Sequence, residues 1–130
     1  MIAVDTSAIM AILLDEDDAD RFTSALANAD TKVMSAMSYL EASIVLIGRQ
    51  RAHGLADLDA LLDCSGIEIV ALDREQVMTA RAAFERYGKG LSRAGLNHGD
   101  CAAYALAVSR GLPLLFKGGD FALTDVTPAR

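Results

Sequence analysis

The 130-residue chain has no tryptophan and an aromatic share of 5%, too little for a broad platform on which successive bases of a single strand could stack. Two prolines and no Ser- or Gly-rich tract leave little room for a linker or disordered tail, so residues 1–130 read as one compact domain with a single core. Cysteine is scarce too. Cys64 and Cys101 lack the paired spacing of a zinc site, and both read as reduced packing residues rather than a bridge. No apolar run reaches membrane-spanning length: Ala8 to Leu14 is far too short, and no basic residues precede it as in a signal peptide, so the expected location is the cytoplasm. Basic charge is also short. With 12 Lys and Arg against 18 Asp and Glu, the net charge of −6 argues at first against a nucleic-acid partner.

What is present is a repeated alternation of short apolar runs with longer segments of helical periodicity. Strands are expected at Met1–Val4, Lys32–Ser35, Ile67–Leu72 and Leu112–Phe116, the third buried on both faces. Between them fall helices at Ala8–Leu14, capped by Thr6 or Ser7; Ala19–Ala29, capped by Asp17; Ser38 to about Arg51; Leu55–Cys64; Arg74–Tyr87; and one opening at Asn97 or His98 and stopping at Gly111. Gly88–Gly95, with three glycines and Lys89 and Arg93, reads as a mobile basic loop. Repeated βα units require right-handed crossovers. They give an α/β fold of three layers, α/β/α, around a mostly parallel sheet of four to five strands, with ligands gathering beyond the carboxyl ends of the strands.

Four acids stand where an apolar run gives way to a helix start or turn: Asp5, Glu41, Asp100 and Asp120. Each has an ordinary structural role available. Glu41 would complete a capping box with Ser38, Asp100 would sit in the first turn of a helix capped by Asn97, and Asp120 closes a glycine turn in which aspartate is common. All four nevertheless fall at one edge of the predicted sheet, which independent caps and turns need not produce. Clustered carboxylates would take up protons unless they share a cation, and oxygen donors suit Mg²⁺ or Mn²⁺. Such an ion activates water and offsets charge on a scissile phosphate, so metal-assisted phosphodiester hydrolysis is the expected chemistry. Setting those four acids aside leaves 14 acidic against 12 basic residues, which removes most of the electrostatic objection to RNA. Arg86, Lys89, Arg93 and Lys117 are the candidate phosphate contacts, and His98 a candidate proton donor.

The segments Val4-Asp5-Thr6-Ser7-Ala8, Ser38-Tyr39-Leu40-Glu41-Ala42, Gly95-Leu96-Asn97-His98-Gly99-Asp100-Cys101 and Leu115-Phe116-Lys117-Gly118-Gly119-Asp120-Phe121, in that order and spacing, resemble a PIN-domain ribonuclease, specifically a VapC-type toxin. The resemblance spans nearly the whole chain. It implies a PIN-like fold and a Mg²⁺-dependent endoribonuclease that cuts structured RNA such as tRNA or rRNA and is inhibited by a VapB-type antitoxin. It further implies Asp5, Glu41, Asp100 and Asp120 as the acidic set, Asp5 and Asp100 as direct metal ligands, and Ser7 and Asn97 as supporting groups, with Asp125 competing for the last acidic place. The helix containing Ile44-Val45-Leu46-Ile47 is apolar around more of its circumference than one core face needs. Ile9–Leu14 is similar. Either would serve a second copy of the chain or an antitoxin segment.

Three rivals remain. A haloacid-dehalogenase-like phosphatase would use Asp5, Lys117 and Gly119-Asp120 with Asp125, but Ser7 stands where its acid should be. A phosphoacceptor receiver domain would use Asp73 but lacks an acidic pair beside Asp5. A module that binds RNA or protein without cutting is the third.

Overall fold

The computed structural model describes residues 1–130, and its centre is a four-stranded, all-parallel sheet in the order β3-β2-β1-β4. The strands are β1 (Ile2–Val4), β2 (Lys32–Ser35), β3 (Ile67–Val70) and β4 (Leu114–Leu115). A single parallel bridge between Leu114 and Pro128 adds the rudiment of a fifth beside β4. The helices are α1 (Thr6–Leu13), α2 (Ala19–Asn28), α3 (Ala36–Gly48), α4 (Gly54–Cys64), α5 (Arg74–Tyr87) and α6 (His98–Arg110), followed by a 3₁₀ turn at Phe121–Leu123.

Strand alternation builds the three layers. Ile2, Val4, Met34 and Leu115 point into a core with Ile9, Phe22, Leu46 and Leu58, whereas Ala3, Val33 and Leu114 point into a second core with Tyr87, Leu96 and Leu106. Cys101 to Ala107 are buried without a break, and four alanines in that run let α6 approach the sheet and α5 closely. No helix is long and apolar enough to cross a membrane.

Several local expectations change. Asp5, not Thr6 or Ser7, caps α1, because its extended backbone ends β1 and its carboxylate accepts the Ser7 amide. The residue before α2 is Asp18 rather than Asp17, and its side chain makes no cap bond because it turns to Lys117 instead. Ser35 caps α3, so Ser38 lies inside the helix and no Ser38–Glu41 capping box forms. Strand β3 is an edge strand, leaving Glu68 and Ile69 exposed rather than buried on both faces. Cys64 is exposed, while Cys101 is a buried packing residue; both are free thiols.

The glycine-rich segment is folded back on itself. The Lys89 amide donates to the Leu96 carbonyl and the Leu96 amide to the Tyr87 carbonyl, Leu91 and Ser92 both donate to the Gly88 carbonyl, and Ala94 and Leu96 are buried. That is a pinned turn rather than a loose loop. A Cβ on Gly88 would lie 2.7 Å from the Phe84 ring, so the turn requires glycine for close approach. Ile9 and Ala11 are core residues, whereas Leu40, Ile44 and Ile47 form an exposed stripe on α3.

Candidate active site

Because β1 is central and Asp5 follows its last residue, this carboxylate is delivered to the carboxyl edge of the sheet with its backbone amide donating to the Leu115 carbonyl of β4. Only 3% of the residue is exposed. Its Oδ2 accepts the Ser7 hydroxyl at 2.6 Å and the Ser7 amide at 3.0 Å, and the same hydroxyl accepts the Lys117 amide at 2.9 Å. Ser7 thus fastens the end of β1 to the end of β4 and fixes the rotamer of Asp5. The other oxygen, Oδ1, is buried and has no hydrogen-bond partner. Burial pushes the Asp5 carboxyl up to about 7, against the two Ser7 bonds, and the charges of Asp100 and Glu41 add to the rise.

Asp100 is held by a reciprocal capping box: its amide donates to the Asn97 side chain at 2.8 Å, and its Oδ2 accepts the Asn97 amide at 3.1 Å. The cap uses one oxygen and leaves the other free, so capping and ligation are compatible. Burial raises the Asp100 carboxyl despite that bond, with Glu41 and Asp120 adding to the effect and His98 opposing it. Glu41 arrives from α3. Moving the cap back to Ser35 places Glu41 beyond the first turn of α3, where its carboxylate lies across the backbone of Gly99 in α6; a Cβ there would sit 2.8 Å from Glu41 Cδ. Asp120, at the exposed start of the 3₁₀ turn, is close enough to help raise the Asp100 carboxyl, as Asp100 and Glu41 help raise that of Asp5.

A sequence model of the PIN domain matches residues 2–126. The chain belongs to the PIN-domain family. Ribonuclease VapC of Mycolicibacterium smegmatis is 50% identical to this PIN domain over 125 residues, covering 96% of this chain and 97% of that relative. Among solved structures, Mycobacterium tuberculosis VapC20, described as a sarcin–ricin loop cleaving toxin, superposes with a TM-score of 0.82 at 16% identity, covering all of this chain and 99% of the other. A toxin–antitoxin complex from Klebsiella pneumoniae matches with a TM-score of 0.73 at 18% identity, over 96% of this chain and 93% of that one. At those identities the two structures speak to the fold, which is the three-layer α/β arrangement of VapC proteins.

The donor set of this PIN domain fits a hard divalent cation, being all oxygen and including the unpartnered Oδ1 of Asp5. It is not a closed cage, since no three His, Cys, Asp or Glu side chains stand close enough to enclose an ion as they are. An open carboxylate cluster suits Mg²⁺, which keeps several of its waters.

Asp125 lies outside the cluster. It accepts the Tyr104 hydroxyl at 2.6 Å and approaches Arg86 at 3.5 Å, and these partners hold its carboxyl below the usual range. Asp120, by contrast, lies near enough to Asp100 to raise its carboxyl. Lys117 reaches Glu16 at 2.6 Å and Asp18 at 2.9 Å, away from Asp5, so the constellation of a dehalogenase-like phosphatase does not assemble. Asp73 caps α5 through the Gln76 amide, which accounts for it without a receiver-type role. Of the four basic candidates, Arg86 and Lys117 are engaged by acids, while Lys89 and Arg93 are exposed on the pinned turn just ahead of Asn97.

Sequence reasoning did not find Gly99, the position that admits Glu41, nor the Thr6 hydroxyl, which donates to the Ser38 carbonyl at 3.0 Å and ties α1 to α3 beneath the acids. A glycine immediately before Asp100, in a helix that gains nothing from glycine, was the available signal.

Proposed function

We propose that this PIN domain is a VapC-type endoribonuclease toxin that hydrolyses phosphodiester bonds of structured RNA, tRNA or rRNA, with Mg²⁺ or Mn²⁺ as its cofactor. The observation that carries the reading is Asp5: a carboxylate almost wholly buried, locked by Ser7, with one oxygen lacking any partner and other acids close enough to raise its pKa. A buried, unpaired carboxylate among like charges is costly, and a shared cation turns that cost into binding energy. The ribonuclease named among its relatives supports the same reading, as does a structural neighbour described as cutting the sarcin–ricin loop.

Asp5 and Asp100 would hold the ion directly, with Glu41 and Asp120 completing the oxygen donors or orienting water. When bound, the ion supplies Lewis-acid charge that makes water nucleophilic near neutral pH and offsets negative charge on the scissile phosphate. Ser7 keeps Asp5 in one rotamer and Asn97 does the same for Asp100, so little reorganisation accompanies binding. Lys89 and Arg93 contact the RNA backbone from the turn before α6, whereas Arg86 and Lys117 join only by leaving their present ion pairs. The exposed Leu40, Ile44 and Ile47 stripe is the surface assigned to a VapB-type antitoxin or to a second copy in a homodimer, and the toxin–antitoxin complex among the structural neighbours supports an antitoxin partner. The activity is placed in the cytoplasm.

The test is cleavage of total RNA by purified, antitoxin-free protein with Mg²⁺ or Mn²⁺ and with EDTA. Cutting is expected only with metal, and Asp100→Asn is expected to abolish it while circular dichroism stays native. Cleavage that persists in EDTA, or is unchanged in both Asp5→Asn and Asp100→Asn, overturns the reading.

A further inference from the structure

Beside the acids, an apolar slot of about 240 Å³ opens between α3, α5 and α6. Met37, Val77, Phe84 and Cys101 form its walls, and its polar side chains are His98 and Arg81. Phe84 and Val77 are 38% and 46% exposed, so the slot is open to solvent and its aromatic ring is accessible. No feature of the core requires this: the second core closes beneath it through Ala83, Tyr87 and Cys101.

We infer that this slot receives one unpaired nucleobase of the RNA substrate, next to the bond that is cut. The inference rests on the ribonuclease reading and adds a specificity element to the same site. Three observations carry it. The slot and the acidic cluster share a wall, because His98 lines the slot and stands two residues before Asp100 in the first turn of α6, while the residue between them, Gly99, carries the Glu41 carboxylate. Its volume falls just below the range of pockets for drug-sized ligands, which suits a single planar ring rather than a helix or a bulky peptide side-chain cluster. Its composition is that of a base-stacking site, with an aromatic face, an imidazole and a guanidinium at an otherwise apolar surface, and Arg81 adds positive charge where a phosphate would follow the base.

The chemistry also fixes what the slot selects. With an apolar floor it reads a π-face rather than hydrogen-bonding edges, so it distinguishes an unpaired base from a paired one and discriminates weakly among the four bases. A paired base has to leave its stack to enter, and that cost directs cutting to loops and bulges. One slot of this kind is compatible with a chain too poor in aromatics for an extended stacking platform.

The test separates this inference from the nuclease reading by measuring binding and cleavage independently. Short oligoribonucleotides carrying 2-aminopurine at one position, or an abasic residue at that position, are titrated against the Asp100→Asn variant and against the same variant carrying Phe84→Leu or Phe84→Ala. Phe84→Leu keeps an apolar side chain under Gly88 and removes only the aromatic face, so it guards against a trivial folding failure. Expected are quenching of 2-aminopurine on binding, a loss of about tenfold in affinity for the intact strand in both Phe84 variants, and almost no loss for the abasic strand. In the otherwise wild-type protein, Phe84→Leu should lower kcat/KM on an unpaired target by a similar factor. Equal losses for intact and abasic strands, or none, overturn the inference. So does a Phe84 variant that changes oligomeric state or antitoxin affinity while leaving base discrimination intact, since the slot then serves a protein. Selective binding without cleavage by the wild type would leave the slot standing and remove the nuclease reading instead.

Discussion

Replacing Asp5 with asparagine should make this protein more stable while destroying the proposed metal site. The Asp5 carboxyl rises from 3.8 to about 7 in the folded chain, roughly 3 units, and at 1.36 kcal/mol per unit the ionised group costs the native state about 4 kcal/mol above pH 7. A raised folded-state pKa means the native state binds the proton more tightly than the unfolded chain does. The stability linked to Asp5 is therefore fully present below about pH 4 and is lost as pH climbs through about 7. Asparagine keeps an acceptor for the Ser7 amide and hydroxyl and places an amide nitrogen toward the charges of Asp100 and Glu41. Neutral acceptors bond more weakly than charged ones, which returns about 1 kcal/mol and leaves a net gain of about 2–3 kcal/mol at pH 8 in EDTA. For a domain of this size that is a rise in Tm of roughly 5–10 °C. At pH 5 the wild-type carboxyl is protonated when folded, which recovers about 2.7 kcal/mol, so the two proteins should then unfold almost together. Mg²⁺ at about 100 times its Kd should restore about 2.7 kcal/mol to the wild type at pH 8 and nothing to the variant. Urea unfolding at the two pH values, with and without Mg²⁺, measures all of this. An Asp5→Asn protein no more stable than wild type at pH 8 in EDTA would refute the argument.

Two other substitutions probe the same cluster from its supports. Gly99→Ala should fold with unchanged or slightly raised Tm, because alanine suits a helix better than glycine by about 0.5–1 kcal/mol. Its Cβ would displace the Glu41 carboxylate, so Mg²⁺ affinity or cleavage rate should fall by about tenfold or more, and titration calorimetry with rate measurement would show it; an unimpaired variant would remove Glu41 from the site. Ser7→Ala leaves the Lys117 amide without its acceptor and removes a donor from Asp5, so a loss of about 1–3 kcal/mol in urea unfolding is expected. The Asp5 carboxyl should rise further, moving the acidic limb of the pH–rate profile upward; a profile that stays in place would deny Ser7 its hold on Asp5.

The readable parts of this chain were those in which one residue type has one strong use. Gly111 stops α6 in the left-handed conformation expected of a helix end, Asn97 caps the same helix, and Arg74–Tyr87 begins and ends where its periodicity does. Serine and aspartate were less readable because they have several uses. Ser38 stands at capping-box spacing from Glu41, but β2 pairs with β3 up to Ser35, and the chain turns into α3 at once, so Ser35 takes the cap and Glu41 is released toward Gly99. Asp18 gives up capping because Lys117, almost a hundred residues away, offers a charged partner. Whether Lys117 and Arg86 were free to hold phosphate was invisible for the same reason: their partners Glu16, Asp18 and Asp125 come from other elements.

By itself the sequence determined the order of strands and helices, the parallel sheet that this order requires, and the presence of four acids near its carboxyl edge. Local propensity and periodicity act over a few residues, and both are written in the chain. Only the tertiary structure decided that Asp5 carries a buried oxygen with no partner, that Glu41 rests on Gly99, that Asp125 belongs to Tyr104, and that an apolar slot opens beside His98. Each of those depends on desolvation or on contact between segments far apart in sequence, and such terms take a value only once the layers have packed.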